Sequence, residues 1–119
     1  MAYTFLTDSR TKINNPLVTS INANKNIEGQ ILYTLDTLSS NNQNIIYLTN
    51  DDMFETVSLI SKKVSNIHTN KIIVINIANI DKIDEFINNF DDDNLSSLKE
   101  TFNFEFNIYE QYIIYNFNM

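Results

Sequence analysis

Residues 71–77 read KIIVINI, and residues 45–48 read IIYL. Ile72, Ile73, Val74 and Ile75 are consecutive, and three of the four are isoleucine. An unbroken apolar, β-branched run suits a strand covered on both faces rather than one with a wet face. Between the two runs Met53, Val57, Ile60, Val64 and Ile67 recur at helical spacing. Asn50 is placed to cap that helix, with Asp51 and Asp52 in its first turn and Lys62 and Lys63 near its end, each matched to the helix dipole. A strand, a helix and a second doubly covered strand predict a right-handed parallel crossover.

Upstream, Ile27, Ile31, Leu32, Leu35 and Leu38 predict a helix over about 28–40. Ala2–Leu6 reads as a short strand, with Tyr3 and Phe5 alternating with small or polar neighbours. Asn14, Asn15 and Pro16 mark a turn, and residues 17–21 predict a second strand closing an N-terminal hairpin. Downstream, Ile80, Ile83, Ile87 and Phe90 share one helical face, with Asn79 or Asp81 as cap. A helical turn is expected over 95–100. Phe102, Phe104, Phe106 and Ile108 then alternate with polar residues, and residues 112–117 follow after a turn near Glu110. That pattern predicts a β-hairpin. The expectation is one α/β domain over residues 1–119. Its sheet is mixed, with a parallel βαβ core, a C-terminal antiparallel hairpin and helices packed on the sheet.

Composition excludes several chemistries. The 119 residues contain no cysteine, so disulfides, thiolate metal sites and cysteine nucleophiles are ruled out. One glycine, Gly29, cannot supply a Walker A loop or a G-x-G-x-x-G turn, which let backbone approach a phosphate. No apolar run approaches the ~20 residues that span a bilayer, and the N-terminus does not read as a signal peptide. These features predict a cytoplasmic protein without a membrane contact. Asparagine occurs 20 times and isoleucine 18 times. Their codons are AT-rich, so the bias points to an AT-rich genome such as that of a phage or virus, and for a viral protein the compartment is the host cytoplasm.

The charge is divided. Residues 1–80 carry six acids and six bases, whereas residues 81–119 carry nine acids against Lys82 and Lys99, so the whole formal charge of −7 lies in the last third. An acidic surface repels phosphate backbones, which argues against direct nucleic-acid binding. The plain reading of Asp84, Glu85, Asp91, Asp92 and Asp93 is a solvated helix face. The functional reading is a docking patch for a basic protein, including mimicry of nucleic-acid phosphates, with Tyr109 and Tyr112 as aromatic anchors.

Catalytic patterns are sparse. His68, the only histidine, stands three residues from Ser65, but no carboxylate occurs between Glu55 and Asp81 to orient it. A calcium loop counted from Asp91 needs glycine sixth and glutamate twelfth, and the chain has Ser96 and Phe102 there. The strand ends offer more. Asp51 and Asp52 follow one parallel strand, and Asp81 and Asp84 follow the next. If they converge they could hold Mg²⁺ for phosphoryl or nucleotide chemistry, although aspartate is also the ordinary helix cap. The leading expectation is a non-enzymatic protein-protein interaction module that needs no cofactor. A Mg²⁺-dependent nucleotide enzyme is second. A homo-oligomeric structural subunit assembling through the hairpin edge is third.

Overall fold

The computed structural model describes residues 3–22, 26–65, 72–77, 83–90, 104–109 and 112–117; for 51, 65, 77, 89 and the last two segments the description is of backbone alone. Strands β1 (Tyr3–Asp8) and β2 (Val18–Ile21) come first, and β3 (Asn44–Thr49) and β4 (Ile72–Ile77) then alternate with helices α1 (Ile27–Ser40), α2 (Asp51–Ser65) and α3 (Ile83–Asn89). The four strands form a parallel sheet in the order β2-β1-β3-β4. Two further strands, β5 (Phe104–Tyr109) and β6 (Tyr112–Phe117), follow in the chain, with β6 parallel to β4.

The apolar runs of β3 and β4 lie where double coverage requires them. Ile46 pairs with Ile73 and Leu48 with Ile75. Alternate side chains serve different layers. Ile45, Tyr47, Ile72 and Val74 pack with Ile31 and Leu35 of α1 and with Met53, Val57 and Val64 of α2. Ile46, Leu48, Ile73 and Ile75 pack with Ile83, Phe86 and Ile87 of α3. Helices α1 and α2 therefore share one face of the sheet, and α3 takes the other. Among the described residues no helix is long and apolar enough to cross a membrane.

The N-terminal hairpin expected from the sequence does not form. Strands β1 and β2 are parallel, with Phe5 level with Val18 and Asp8 with Ile21. Residues 9–17 carry the chain back across the face that α3 also covers, where Ile13 and Val18, like Tyr3, Phe5 and Phe90, pack against the layer of Ile46, Ile73 and Phe86. The Asn14-Asn15-Pro16 turn is present, with Val18 N–H donating to the Asn15 carbonyl, but it serves a crossover. The Asn15 side chain also donates to Asp84 of α3, which fastens the crossover to that layer.

The path reverses once. From β1 the chain moves outward to β2 across one face. From β2 through α1 to β3, and through α2 to β4, it moves the other way across the opposite face. Opposite directions over opposite faces give crossovers of one hand, as twisted parallel sheets require. The reversal leaves a switch point between β1 and β3.

Ile73 lies in the central layer and is fully buried. Ile73→Ala should lower the unfolding free energy by about 2–5 kcal/mol, read from urea denaturation with an unchanged m-value. A loss under about 1 kcal/mol would contradict a closely packed central strand.

Candidate functional site at the carboxyl edge of the sheet

Leu6 is level with Tyr47, so two residues further on Asp8 comes level with Thr49, and Thr49 pairs with Asn76. The three polar residues form one row across β1, β3 and β4 at their carboxyl ends, and all are buried. A buried polar row is costly unless its hydrogen bonds are made. The Tyr47 hydroxyl donates to Asp8 Oδ2 at 2.7 Å, and the Arg10 backbone N–H donates to Asp8 Oδ1 at 2.9 Å. Thr49 Oγ1 has no partner among the described residues. Burial, then the hydrogen bond to Asp8 and its negative charge, push the Tyr47 pKa far above the ordinary tyrosine value, so the hydroxyl stays protonated as a donor.

The loops leaving β1 and β3 are stitched together by Asn50. Its backbone N–H donates to Thr11 Oγ1 at 3.2 Å, and its side-chain amide donates to the Arg10 carbonyl at 3.1 Å. Its Oδ1 accepts from Met53 N–H at 3.3 Å, which caps α2 as its position predicts. Thr7 Oγ1 adds a further tie, donating to the Leu48 carbonyl at 2.8 Å. Arg10, the chain's single arginine, is exposed on this rim, its guanidinium 3.3 Å from Met53 Sδ in the first turn of α2. The edge thus combines a fixed carboxylate, a buried hydroxyl and an exposed planar cation beside a helix N-terminus.

Of the residues singled out from the sequence, Asp52, Asp84 and Glu85 have described side chains. Asp52 is exposed at the start of α2, and Asp84 and Glu85 are exposed at the start of α3. Strands β3 and β4 are neighbours, but their following helices lie on opposite faces, so Asp52 and Asp84 are not brought together. Among the described residues no group of three or more histidine, aspartate or glutamate side chains could share a metal ion. Asp81, Asp91, Asp92, Asp93 and His68 lie outside the described residues, as do the side chains of Asp51, Tyr109 and Tyr112.

Sequence reasoning passed over Asp8, Arg10, Tyr47 and Thr49. A signal was present, because Leu6-Thr7-Asp8 and Leu48-Thr49-Asn50 repeat one pattern, an apolar strand end running into two polar residues. No protein-family model, curated protein or solved structure matches the chain.

Tyr47→Phe removes a buried donor to a carboxylate and should cost about 1.5–3 kcal/mol at neutral pH. The raised Tyr47 pKa stabilises the fold fully below the unfolded tyrosine value of about 10 and is lost as pH rises beyond it. Urea unfolding from neutral to alkaline pH should therefore fall less steeply above pH ~10 in Tyr47→Phe than in the wild type. Equal slopes would remove Tyr47 from that pH dependence.

Proposed function

We propose that this chain is a binding module that holds a small phosphate-bearing ligand, with Mg²⁺, at the carboxyl ends of β1 and β3, over the rim that Asn50 joins. The observation that carries it is the place of the polar row and Arg10. In open parallel sheets the loops on either side of a path reversal part to opposite faces, and ligands collect in the opening between them. A guanidinium presents a planar fork of donors that fits phosphate oxygens in pairs. The N-terminal end of α2 adds a favourable dipole for an anion. Asp51 and Asp52 in the same turn would repel a bare phosphate, and Mg²⁺ resolves the conflict because it takes carboxylate and phosphate oxygens together. The buried contacts of Asp8 fix the loop that carries Arg10, which makes Asp8 and Tyr47 positioning residues.

Thermal melting in Mg²⁺ alone, inorganic phosphate alone and ADP with Mg²⁺ tests this reading. A ligand at 100 times its Kd stabilises the native state by about 2.7 kcal/mol. The expected result is a rise in Tm with ADP and Mg²⁺ together that disappears in Arg10→Ala. No rise at millimolar ligand, or an equal rise in Arg10→Ala, rejects the site.

A second reading, a protein-binding module, is favoured by a separate observation: Asp84 and Glu85 are adjacent and exposed on α3, on the face away from α1 and α2. On this reading Asp91, Asp92 and Asp93 extend the acidic patch toward a basic partner. Tyr109 and Tyr112 flank it on a C-terminal antiparallel hairpin, a pairing that the backbone register of β5 against β6 supports. Charge steering raises association rates and is screened near ~0.15 M salt, where the Debye length is about 8 Å. Replacing Asp91, Asp92 and Asp93 with asparagine should slow association with a captured partner at low salt and flatten its salt dependence, leaving Tm unchanged. Identical rates for variant and wild type at low salt would dismiss the patch.

A further inference from the structure

Strand β5 is the outermost strand at its end of the sheet, in the order β2-β1-β3-β4-β6-β5. An outermost strand offers a row of backbone N–H and C=O groups to a further strand, and proteins blunt such edges with shortness, proline, lysine or bulges. At the opposite edge β2 has four residues and begins two positions after Pro16. Strand β5 has six residues, reading FEFNIY, with no proline, glycine, lysine or arginine. Register places these residues on faces. Phe106 is level with Tyr115 and Ile108 with Ile113, and Tyr115 and Ile113 are level with Ile75 and Ile73 of β4. Phe104, Phe106 and Ile108 thus fall on the face of the sheet where α3 lies, and Glu105, Asn107 and Tyr109 on the face of α1 and α2.

A strand edge is satisfied by extended chain, and the symmetry of β5 against itself selects a second copy. Two β5 strands running antiparallel about a two-fold axis normal to the sheet keep each face continuous only in registers centred on a residue. Centred on Phe106, Phe104 comes level with Ile108, Phe106 with its own counterpart and Glu105 with Asn107. Apolar residues come level with apolar ones on one face, and carboxylate with amide on the other. Glu105, the only charged residue of the strand, does not come level with itself. One pairing closes both edges. We infer, resting on the pairing of β5 with β6 stated above, that two copies of the chain join antiparallel through β5, so that their six-stranded sheets run on as one. This surface is independent of the ligand site at the carboxyl edge. Residues 81–119 carry nine acids against two lysines, so joining two copies there brings like charges together. Salt screens that repulsion. Dimerisation through β5 therefore strengthens as salt rises, the opposite of docking a basic partner.

The test is sedimentation velocity of the full chain at ~0.05 and ~0.5 M salt, with amide hydrogen exchange at several protein concentrations. The expected result is a monomer–dimer equilibrium that is tighter at high salt. In antiparallel pairing, alternate residues of a strand bond to the neighbour on each side. One alternate set of β5 amides should exchange slowly at every concentration, held by β6, and the other set should slow only as the dimer forms. Phe106→Lys and Phe106→Glu each place like charges level across the axis and should each weaken dimerisation about tenfold or more. An equimolar mixture of the two should restore a dimer. A monomer at every concentration with half of the β5 amides protected overturns the inference and leaves the hairpin standing. Fast exchange of all β5 amides, with β4 still protected, overturns the hairpin and the inference with it. Growth beyond a dimer, a dimer weakened by salt, or a dimer untouched by both variants also overturns it. If neither variant folds, the sedimentation and exchange of the wild type decide alone.

Discussion

The pairing of β3 with β4 is the constraint on which the rest depends. A parallel pair cannot be joined by a tight turn, so the chain must cross a face of the sheet to return. The crossing element is α2, and it covers only one face. The isoleucines pointing the other way, Ile46, Ile73 and Ile75, require a second layer, which α3 supplies through Ile83, Phe86 and Ile87. Two layers flanking one sheet follow from twelve strand residues, seven of them isoleucine or valine.

The other end of the sheet solves the same coverage problem with less material. Between β1 and β2 there is no helix, and the face above them is covered by Ile13 and Phe90. Phe90 meets Tyr3 edge-on with ring centroids 5.2 Å apart and Phe86 at 5.5 Å, so one aromatic cluster joins the helix-covered half of that face to the loop-covered half. This economy also draws the strand ends together. A short crossover leaves the loop after β1 close to the loop after β3, and Asn50 ties them with hydrogen bonds to Thr11 and Arg10.

Much of the core was legible because periodicity speaks clearly where burial is one-sided or complete. The stripe Met53, Val57, Ile60 and Val64 is buried as a stripe, and the runs at 45–48 and 72–75 are buried as runs. The relation of β1 to β2 was not legible. Alternation along residues 3–6 and 17–21 marks strands but carries no direction, and an Asn-Asn-Pro turn fits a hairpin and a crossover equally well. The face of β1 is covered by the distant Phe90, a contact beyond the reach of any local pattern. The candidate site was missed for a related reason. Thr7 and Asp8 look like the polar start of a loop, whereas both are buried strand residues, and burial of that carboxylate is made tolerable by the Arg10 N–H together with Tyr47, 39 positions away. The aspartates that did stand out follow strands that are neighbours, but sequence does not say which face each following helix will take.

The two left-handed backbone positions described among non-glycine residues, Asn26 and Asn42, flank α1 at its two ends. Glycine is the usual residue for such positions because it lacks a Cβ, and asparagine tolerates them through local hydrogen bonding. Using asparagine there changes the disordered chain more than the folded one. An asparagine samples fewer backbone states than a glycine when unfolded, so less conformational entropy is surrendered on folding, which offsets part of the strain of a left-handed backbone. With one glycine in 119 residues, the chain begins folding from an unusually restricted ensemble. Part of the stability of this small sheet is thus set before any contact in it has formed.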